Sequence, residues 1–250
     1  MHLSEAKKII KKVENDYDAV ARDWDTSRFS ARASQIKIAN QIKNGERLLD
    51  VGCGNGVFYP VLADKSINYV GMDISKKLLA LASQKARKIK SGSKVKFIKG
   101  SITKLPFRNN QFDWVCVFAV LHHIPSEELR LRSAQEIWRV LKPSGKVIVT
   151  VWNMFSNWAE KKFNINEQLK NIHEGFDHGD VIIPWKGTVG KVIQRYMRAF
   201  AKNELSKLFK DAGFKKVSTY YAIKEIGVKS QNAKEGKNLV LMAKKAGGGR

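Results

Sequence analysis

Leu48-Leu49-Asp50-Val51-Gly52-Cys53-Gly54-Asn55-Gly56 is the stretch that decides the fold. Its apolar start reads as a short buried strand, and the glycines after it read as a sharp turn that opens a helix. Glycine lets a backbone take positive φ and approach a ligand closely. Asp73 ends the next apolar run, 69–72, where a carboxylate can accept both hydroxyls of a ribose. A dinucleotide site uses similar parts, but its G-x-G-x-x-G/A spacing needs Gly or Ala at position 57. Here that residue is Val57, and the third glycine is Gly56.

Working outward, apolar runs at 69–72, 95–98, 114–120 and 147–151 predict strands, the third unbroken as in a strand buried on both faces. Between them, 76–88 and 127–141 carry apolar residues at helical spacing, and Pro143 and Gly145 stop the second. Residues 3–25 (Ile9, Ile10, Val13, Tyr17, Val20) and 34–43 predict helices ahead of the first strand. Strand–helix alternation with short connections predicts an α/β, doubly wound, mostly parallel sheet with helices on both faces. After Trp152 the rhythm breaks. Residues 153–201 hold amphipathic helix (Trp158, Ile165, Leu169, Ile172) and then an irregular Gly/Asp/Pro stretch. A helix at 204–212 ends at Gly213, and strands follow at 217–222 and 239–243. The segment 224–237 lacks the helix a parallel crossover needs, so these last strands form an antiparallel pair at one edge. The expectation is a single domain over 1–250 with seven strands, an antiparallel edge strand, an N-terminal helical cap over 1–46, and a helical insertion after strand five, 153–201, on the substrate side.

Charge narrows the partners. The 250 residues carry a net charge of +23, and between Ile74 and Phe112 there are eleven Lys or Arg and no Asp or Glu. Lys7, Lys8, Lys11 and Lys12 add to this. A polyanion such as nucleic acid is the natural partner. The surface of a hyperthermophile would carry Glu beside its Lys, which is not the pattern here. No run of 18 apolar residues and no signal-peptide pattern is present, so a soluble, cytoplasmic protein without a membrane role is expected. Cys53 and Cys116 fall in predicted core elements, and no Cys/His cluster has metal-ligand spacing, so neither a disulfide nor a metal is expected.

G-x-G-x-G after a strand, with Asp50 two residues ahead of it, resembles the class I S-adenosylmethionine-dependent methyltransferases. Gly100-Ser101-Ile102, Leu105-Pro106-Phe107, Gln111-Phe112-Asp113 and Leu141-Lys142-Pro143-Ser144-Gly145-Lys146 resemble that class's later motifs, in order. Within it, several segments look like the tRNA wobble-uridine carboxymethyl methyltransferases. They are Val20-Ala21-Arg22-Asp23-Trp24-Asp25-Thr26-Ser27-Arg28-Phe29, Ala119-Val120-Leu121-His122-His123-Ile124, Val151-Trp152, Asp180-Val181-Ile182-Ile183-Pro184-Trp185 and Arg195-Tyr196-Met197-Arg198-Ala199-Phe200. The resemblance implies a Rossmann-like methyltransferase fold, S-adenosyl-L-methionine as cofactor, the anticodon loop of tRNA as substrate and a small zinc-binding activator subunit as a partner. Ser101 stands where many relatives have Asp, and Met197 and Arg198 where the family has Tyr and His.

The resemblance and the motifs together assign cofactor contacts to Asp50, Gly52, Gly54, Asn55, Gly56, Asp73, Ile74, Ser101, Ile102 and Ala119. Arg28 is the first candidate to hold a substrate carboxylate by a forked pair of hydrogen bonds, and Arg198 the second. His122 and His123 are candidate donors. As neighbours leaving a strand only one would face the cleft, and His122 is favoured. Trp152 and Trp185 are candidate stacking surfaces for a base. Competing readings are a small-molecule methyltransferase and an RNA-binding module without chemistry. The charge argues against the first, and the intact Asp50–glycine–Asp73 set against the second.

Overall fold

The computed structural model describes residues 1–28, 30–31, 33–171, 173–187, 192–223 and 228–247. Phe29, Ile172 and part of the 224–237 segment lie outside them. Helices α1 (Leu3–Ala19), α2 (Ala21–Ser27) and α3 (Ala33–Ala39) precede strand β1 (Arg47–Val51). Strand β2 (Asn68–Asp73), helix α4 (Lys76–Arg87) and strands β3 (Lys94–Lys99) and β4 (Phe112–Phe118) follow. Next come α5 (Glu127–Val140), β5 (Leu141–Trp152), α6 (Asn157–Phe163), α7 (Ile165–Lys170), β6 (Asp180–Lys186) and β7 (Val192–Arg198). The chain then forms α8 (Lys202–Asp211), β8 (Lys216–Ala222), β9 (Lys229–Ser230) and β10 (Asn238–Lys244).

The main sheet has eight strands in the order β3-β2-β1-β4-β5-β10-β8-β9. Its first five are parallel, and β10 runs antiparallel between β5 and β8. The expected final antiparallel pair is therefore present, but its antiparallel member is interior. The count rises from seven to eight because Lys229 and Ser230 fold back onto Ala222 and Tyr221. Alternation along each strand separates two cores. Leu49, Val51, Val115, Val117, Val147 and Val149 pack under α5 and α8 with Ile137 and Phe209. Leu48, Tyr69, Trp114, Cys116 and Ile148 pack on the other face with Ile38 and Leu62. Each such side chain is worth about 1.5–3 kcal/mol when fully buried.

Four departures from expectation matter for the site. The first helix breaks at Val20 (φ −108°, ψ 11°) into α1 and α2, so Asp18 accepts the N–H of Lys77 and the hydroxyl of Ser75, which itself caps α4. The glycine loop opens a 3-10 turn, Tyr59–Leu62, with Pro60 in its first turn, instead of an α-helix. The strand expected to run to Val120 stops at Phe118, since Ala119 turns to φ +59°. The insertion holds two short helices and also an antiparallel hairpin, β6–β7, where the sequence pattern offered only an irregular stretch.

Candidate active site

Winding reverses between β1 and β4, which both leave the sheet at the same end. A crevice opens outside their carboxyl ends, where ligands of doubly wound folds bind. A cavity of about 210 Å³ fills it, lined from β1 by Asp50 and Gly52–Gly54–Asn55, from β2 by Asp73 and Ile74, and from β4 by Ala119 and Val120. Ser101 and Ile102 after β3 close one side. Tyr17, Trp24 and Arg28 of the N-terminal helices cover it, with Trp152 and Arg195 opposite.

The glycine loop is pinned from below: the N–H groups of Gly52 and Cys53 both donate to the carbonyl of Met72, at 2.6 and 3.0 Å. Gly52 (φ +69°) has no room for a Cβ, which would lie 2.1 Å from Cγ2 of Val120. Gly54 (φ +55°) is the opposite case, since a Cβ there would meet only Trp24 Nε1, at 3.9 Å. The space before Gly54 is cavity, so a ligand can lie against the backbone there. Gly56 does not line the cavity; a Cβ on it would sit 2.9 Å from Ala82 of α4, so its role is close packing.

The carboxylates are set by burial. Asp73 accepts N–H groups from Gly54 (2.8 Å) and Ser75 (2.9 Å), one on each oxygen, which leaves a lone pair on each for a diol. Burial raises its pKa, against those two bonds. Asp50, 2% exposed, accepts the Tyr69 hydroxyl at 2.7 Å, and burial pushes its pKa up to about 7. An uncompensated buried carboxylate beside a cavity suits a cationic ligand group. Ile74 and Ile102 give the cavity apolar walls between Asp73 and Ser101. The Ser101 hydroxyl lies 2.9 Å from that of Thr103. Donors, acceptors and apolar walls together fit S-adenosylmethionine, whose ribose, adenine and cationic amino-acid end need those three kinds of surface.

Asn55, which also lines the cavity, has a second task in the loop. Its amide donates to Asp25 at 2.6 Å and to the carbonyl of Arg28 at 2.7 Å, and Asp25 also pairs with Lys85. It is a clip that holds the Arg28 turn over the glycine loop. Arg28 lines the cavity, its guanidinium 4.9 Å from the centre of the Trp24 ring.

His122 and His123 both line the cavity, so the expectation that only one would reach it is corrected. They lie in a 3-10 turn, Leu121–His123, where strand alternation does not apply. Nδ1–H of His123 donates to the carbonyl of Tyr196 (3.0 Å), and its Nε2 accepts from the Tyr17 hydroxyl (3.1 Å). Burial, then the Arg195 charge, lowers its pKa to about 3. His122 accepts the Trp152 N–H on Nδ1 at 3.2 Å, which places its proton on Nε2. Burial holds it well below the usual range too, so both rings are neutral at pH 7.

Arg198 is outside the cleft. It pairs with Asp180 (3.4 Å) and Glu204 (2.8 Å) and bonds the carbonyl of His178, on the far side of the hairpin. Arg195 takes the inner position. It is 3% exposed, it lies 5.1 Å from the Trp152 ring centre, and its Nε has no hydrogen-bond partner among the described residues. The two arginines differ by three positions, so they point to opposite faces of β7. Ile193, Arg195 and Met197 are buried, while Val192 and Gln194 are exposed. Sequence reasoning missed Arg195 because it assigned no strand here. Tyr17 and Trp24 were missed as cleft residues because their helical spacing reads as core. Trp152 lines the cleft, whereas Trp185 packs on Trp24 at 5.6 Å outside it.

Residues 49–149 match the family model described as a methyltransferase domain. A curated relative from Schizosaccharomyces pombe, named tRNA (carboxymethyluridine(34)-5-O)-methyltransferase, is 27% identical over 80% of this chain and 87% of its own. Other relatives with that activity in their names are longer, and the chain spans about a third of their length or less. The fold is that of a solved S-adenosylmethionine-dependent methyltransferase from Methanosarcina mazei, at TM-score 0.67 and 23% identity, covering 84% of this chain and 97% of that one. It is shared by a chain in the complex between a methyltransferase activator from Haloferax volcanii and its methyltransferase-like partner (TM-score 0.62, 18% identity, 92% and 97% covered).

Proposed function

We propose that this chain is an S-adenosylmethionine-dependent methyltransferase, a reading supported by the methyltransferase-domain match over residues 49–149, and that it methylates the carboxylate of 5-carboxymethyluridine, or a related modified uridine, at the wobble position of tRNA. One observation carries the choice of substrate. The inner wall of the cleft holds a buried guanidinium, Arg195, that no carboxylate pairs with among the described residues, beside two neutral histidines. A buried cation left without an anion is costly, and an anionic substrate supplies the missing partner. The relatives named above and the net charge of +23 support tRNA as its carrier.

The cofactor, when bound, supplies an electrophilic methyl on a sulfonium. A carboxylate nucleophile is already ionised at neutral pH, so the residues need not remove a proton. Their work is to orient and to exclude water. In this reading Arg195 and Arg28 hold the carboxylate from two sides, and Nε2–H of His122 donates to the substrate. His123 positions rather than reacts, since both its nitrogens are bonded within the protein. Trp152 offers a ring to the base. Asp50, Gly52, Gly54, Asp73, Ile74, Ser101, Ile102 and Ala119 hold the cofactor. We assign residues 1–46 as a cap and 153–201 as the substrate-side wall of one domain, and we assign a small zinc-binding activator as a partner, supported by the likeness to the Haloferax complex.

The test is transfer of labelled methyl to bulk tRNA, with and without an activator subunit, followed by mild alkali. Label released as methanol marks an ester and supports the reading. Label that resists alkali marks a methylated nitrogen or carbon and refutes it.

A further inference from the structure

We propose that the face made by α4 and the edge strand β3 is a track for the phosphate backbone of RNA, leading away from the mouth of the cleft. The proposal rests on the tRNA reading above and names the surface that reading leaves open. Lys76, Lys77, Arg87 and Lys88 are exposed on α4 and its C-terminal turn. Lys94 and Lys96 are exposed on β3, which lies at the end of the sheet and, among the described residues, pairs only with β2. The face starts at the cleft, because Ile74 and Leu78, on either side of Lys76 and Lys77, line the cavity. Each element spans about 20 Å, at roughly 1.5 Å per helical residue and 3.3 Å per strand residue. That is room for several consecutive phosphates.

The neighbouring helix provides an internal comparison. On α1 three of the four lysines are answered by acids: Lys8 by Glu5, Lys11 by Glu14 and Lys12 by Asp16. A surface built for solubility mixes the two signs in that way. On the α4–β3 face no acid lies between Ile74 and Phe112. Among the described residues no ion pair joins Lys88, Lys90, Lys94 or Lys96, whereas Lys99 and Lys85 are tied to Glu14 and Asp25. Lysines on an edge strand also deter strand addition by other molecules. That accounts for Lys94 and Lys96 but not for the cations of α4. A membrane-binding surface would add exposed apolar residues. Among the described residues the exposed large ones, Ile36, Val192, Ile223 and Val228, are all outside α4 and β3.

The test is a fourfold variant of the full chain, Lys88→Gln, Lys90→Gln, Lys94→Gln and Lys96→Gln, with bulk tRNA titrated at several salt concentrations. Each lost phosphate contact lowers the slope of log affinity on log salt by about 0.7–0.9, so the expected drop is about 3. The KM for tRNA should rise at least about tenfold, with kcat and the cofactor KM unchanged. A Lys8→Gln, Lys11→Gln, Lys12→Gln variant of α1 should keep the wild-type slope. An unchanged slope in the fourfold variant overturns the track, as does loss of binding to phosphatidylserine vesicles with tRNA binding intact. Wild-type binding with the expected slope but no methyl transfer would refute the activity and leave the track standing. Transfer that the fourfold change does not affect would do the reverse.

Discussion

Arg195→Met should separate function from stability. The substitution keeps an aliphatic stem and removes the charge. Relief of the unbonded Nε, and of a buried cation that no carboxylate pairs with among the described residues, is worth about 1–3 kcal/mol to folding. Loss of the contact over Trp152, at 5.1 Å, costs about 1–2 kcal/mol. The two nearly offset, so Tm should move by no more than about 4 °C in a chain of this size. The substrate loses a fork of charge-assisted bonds worth about 3 kcal/mol or more, at least a hundredfold in kcat/KM. The histidines give a second readout. The Arg195 charge adds to burial in lowering the pKa of His123, so imidazole titration followed by nuclear magnetic resonance should show it rising from about 3 while staying below its ordinary value. The assay is methyl transfer to tRNA bearing the carboxymethyl group, beside a thermal melt. A kcat/KM within threefold of wild type would refute the anion-holding role. So would a melt lowered by more than about 10 °C with activity falling in proportion, which is the behaviour of a structural residue.

Three further outcomes are expected. Arg198→Met should act in the opposite way: it removes the ion-pair partner of the buried Asp180 (which keeps the Asp177 N–H), lowers stability by about 3 kcal/mol and Tm by about 6–12 °C, and leaves kcat/KM of the folded fraction within threefold, read by melts and initial rates. Gly54→Ala should cost about 1–2 kcal/mol from its φ of +55° and raise the cofactor KM at least about tenfold, whereas Gly56→Ala should damage packing on Ala82 more than cofactor binding; calorimetric titration and melting separate the two. Asp50 should make cofactor binding release protons. Its folded-state pKa of about 7 lies above the ordinary 3.8, so its contribution to apo stability is full below pH 3.8 and is lost as pH rises through 7, and a cationic ligand favours the ionised form. Near pH 7 about half a proton per cofactor should leave Asp50, read by calorimetry in buffers of different ionisation heat, and Asp50→Asn should abolish that share.

The half of the chain that makes the cofactor side was legible for a simple reason. Its strands are buried, so their apolar runs are uninterrupted, and its glycines and Asp73 sit where strand ends must place them. The substrate side hid itself for equally physical reasons. Pro184 argues against a strand, yet it is tolerated in β6 because both strands of a two-stranded hairpin are edges. Arg195 occupies an inward position where alternation leads one to expect an apolar residue, so this charge erased the signal of its own strand. Once β7 is drawn, the three-residue offset excludes Arg198 from the cleft and brings Arg195 in. The histidine pair failed similarly. The positive φ of Ala119 ends β4 early, and a left-handed residue without glycine leaves no mark in the sequence.

The most direct test of the central claim compares two acceptors under identical conditions: tRNA carrying 5-carboxymethyluridine at the wobble position, and the same tRNA with plain uridine there. With S-adenosylmethionine and an activator subunit, methyl should enter only the first, at one equivalent per wobble carboxylate. Equal transfer into both, or into neither while the cofactor still binds, would contradict the claim that the cleft built around Arg195 exists to hold a carboxylate.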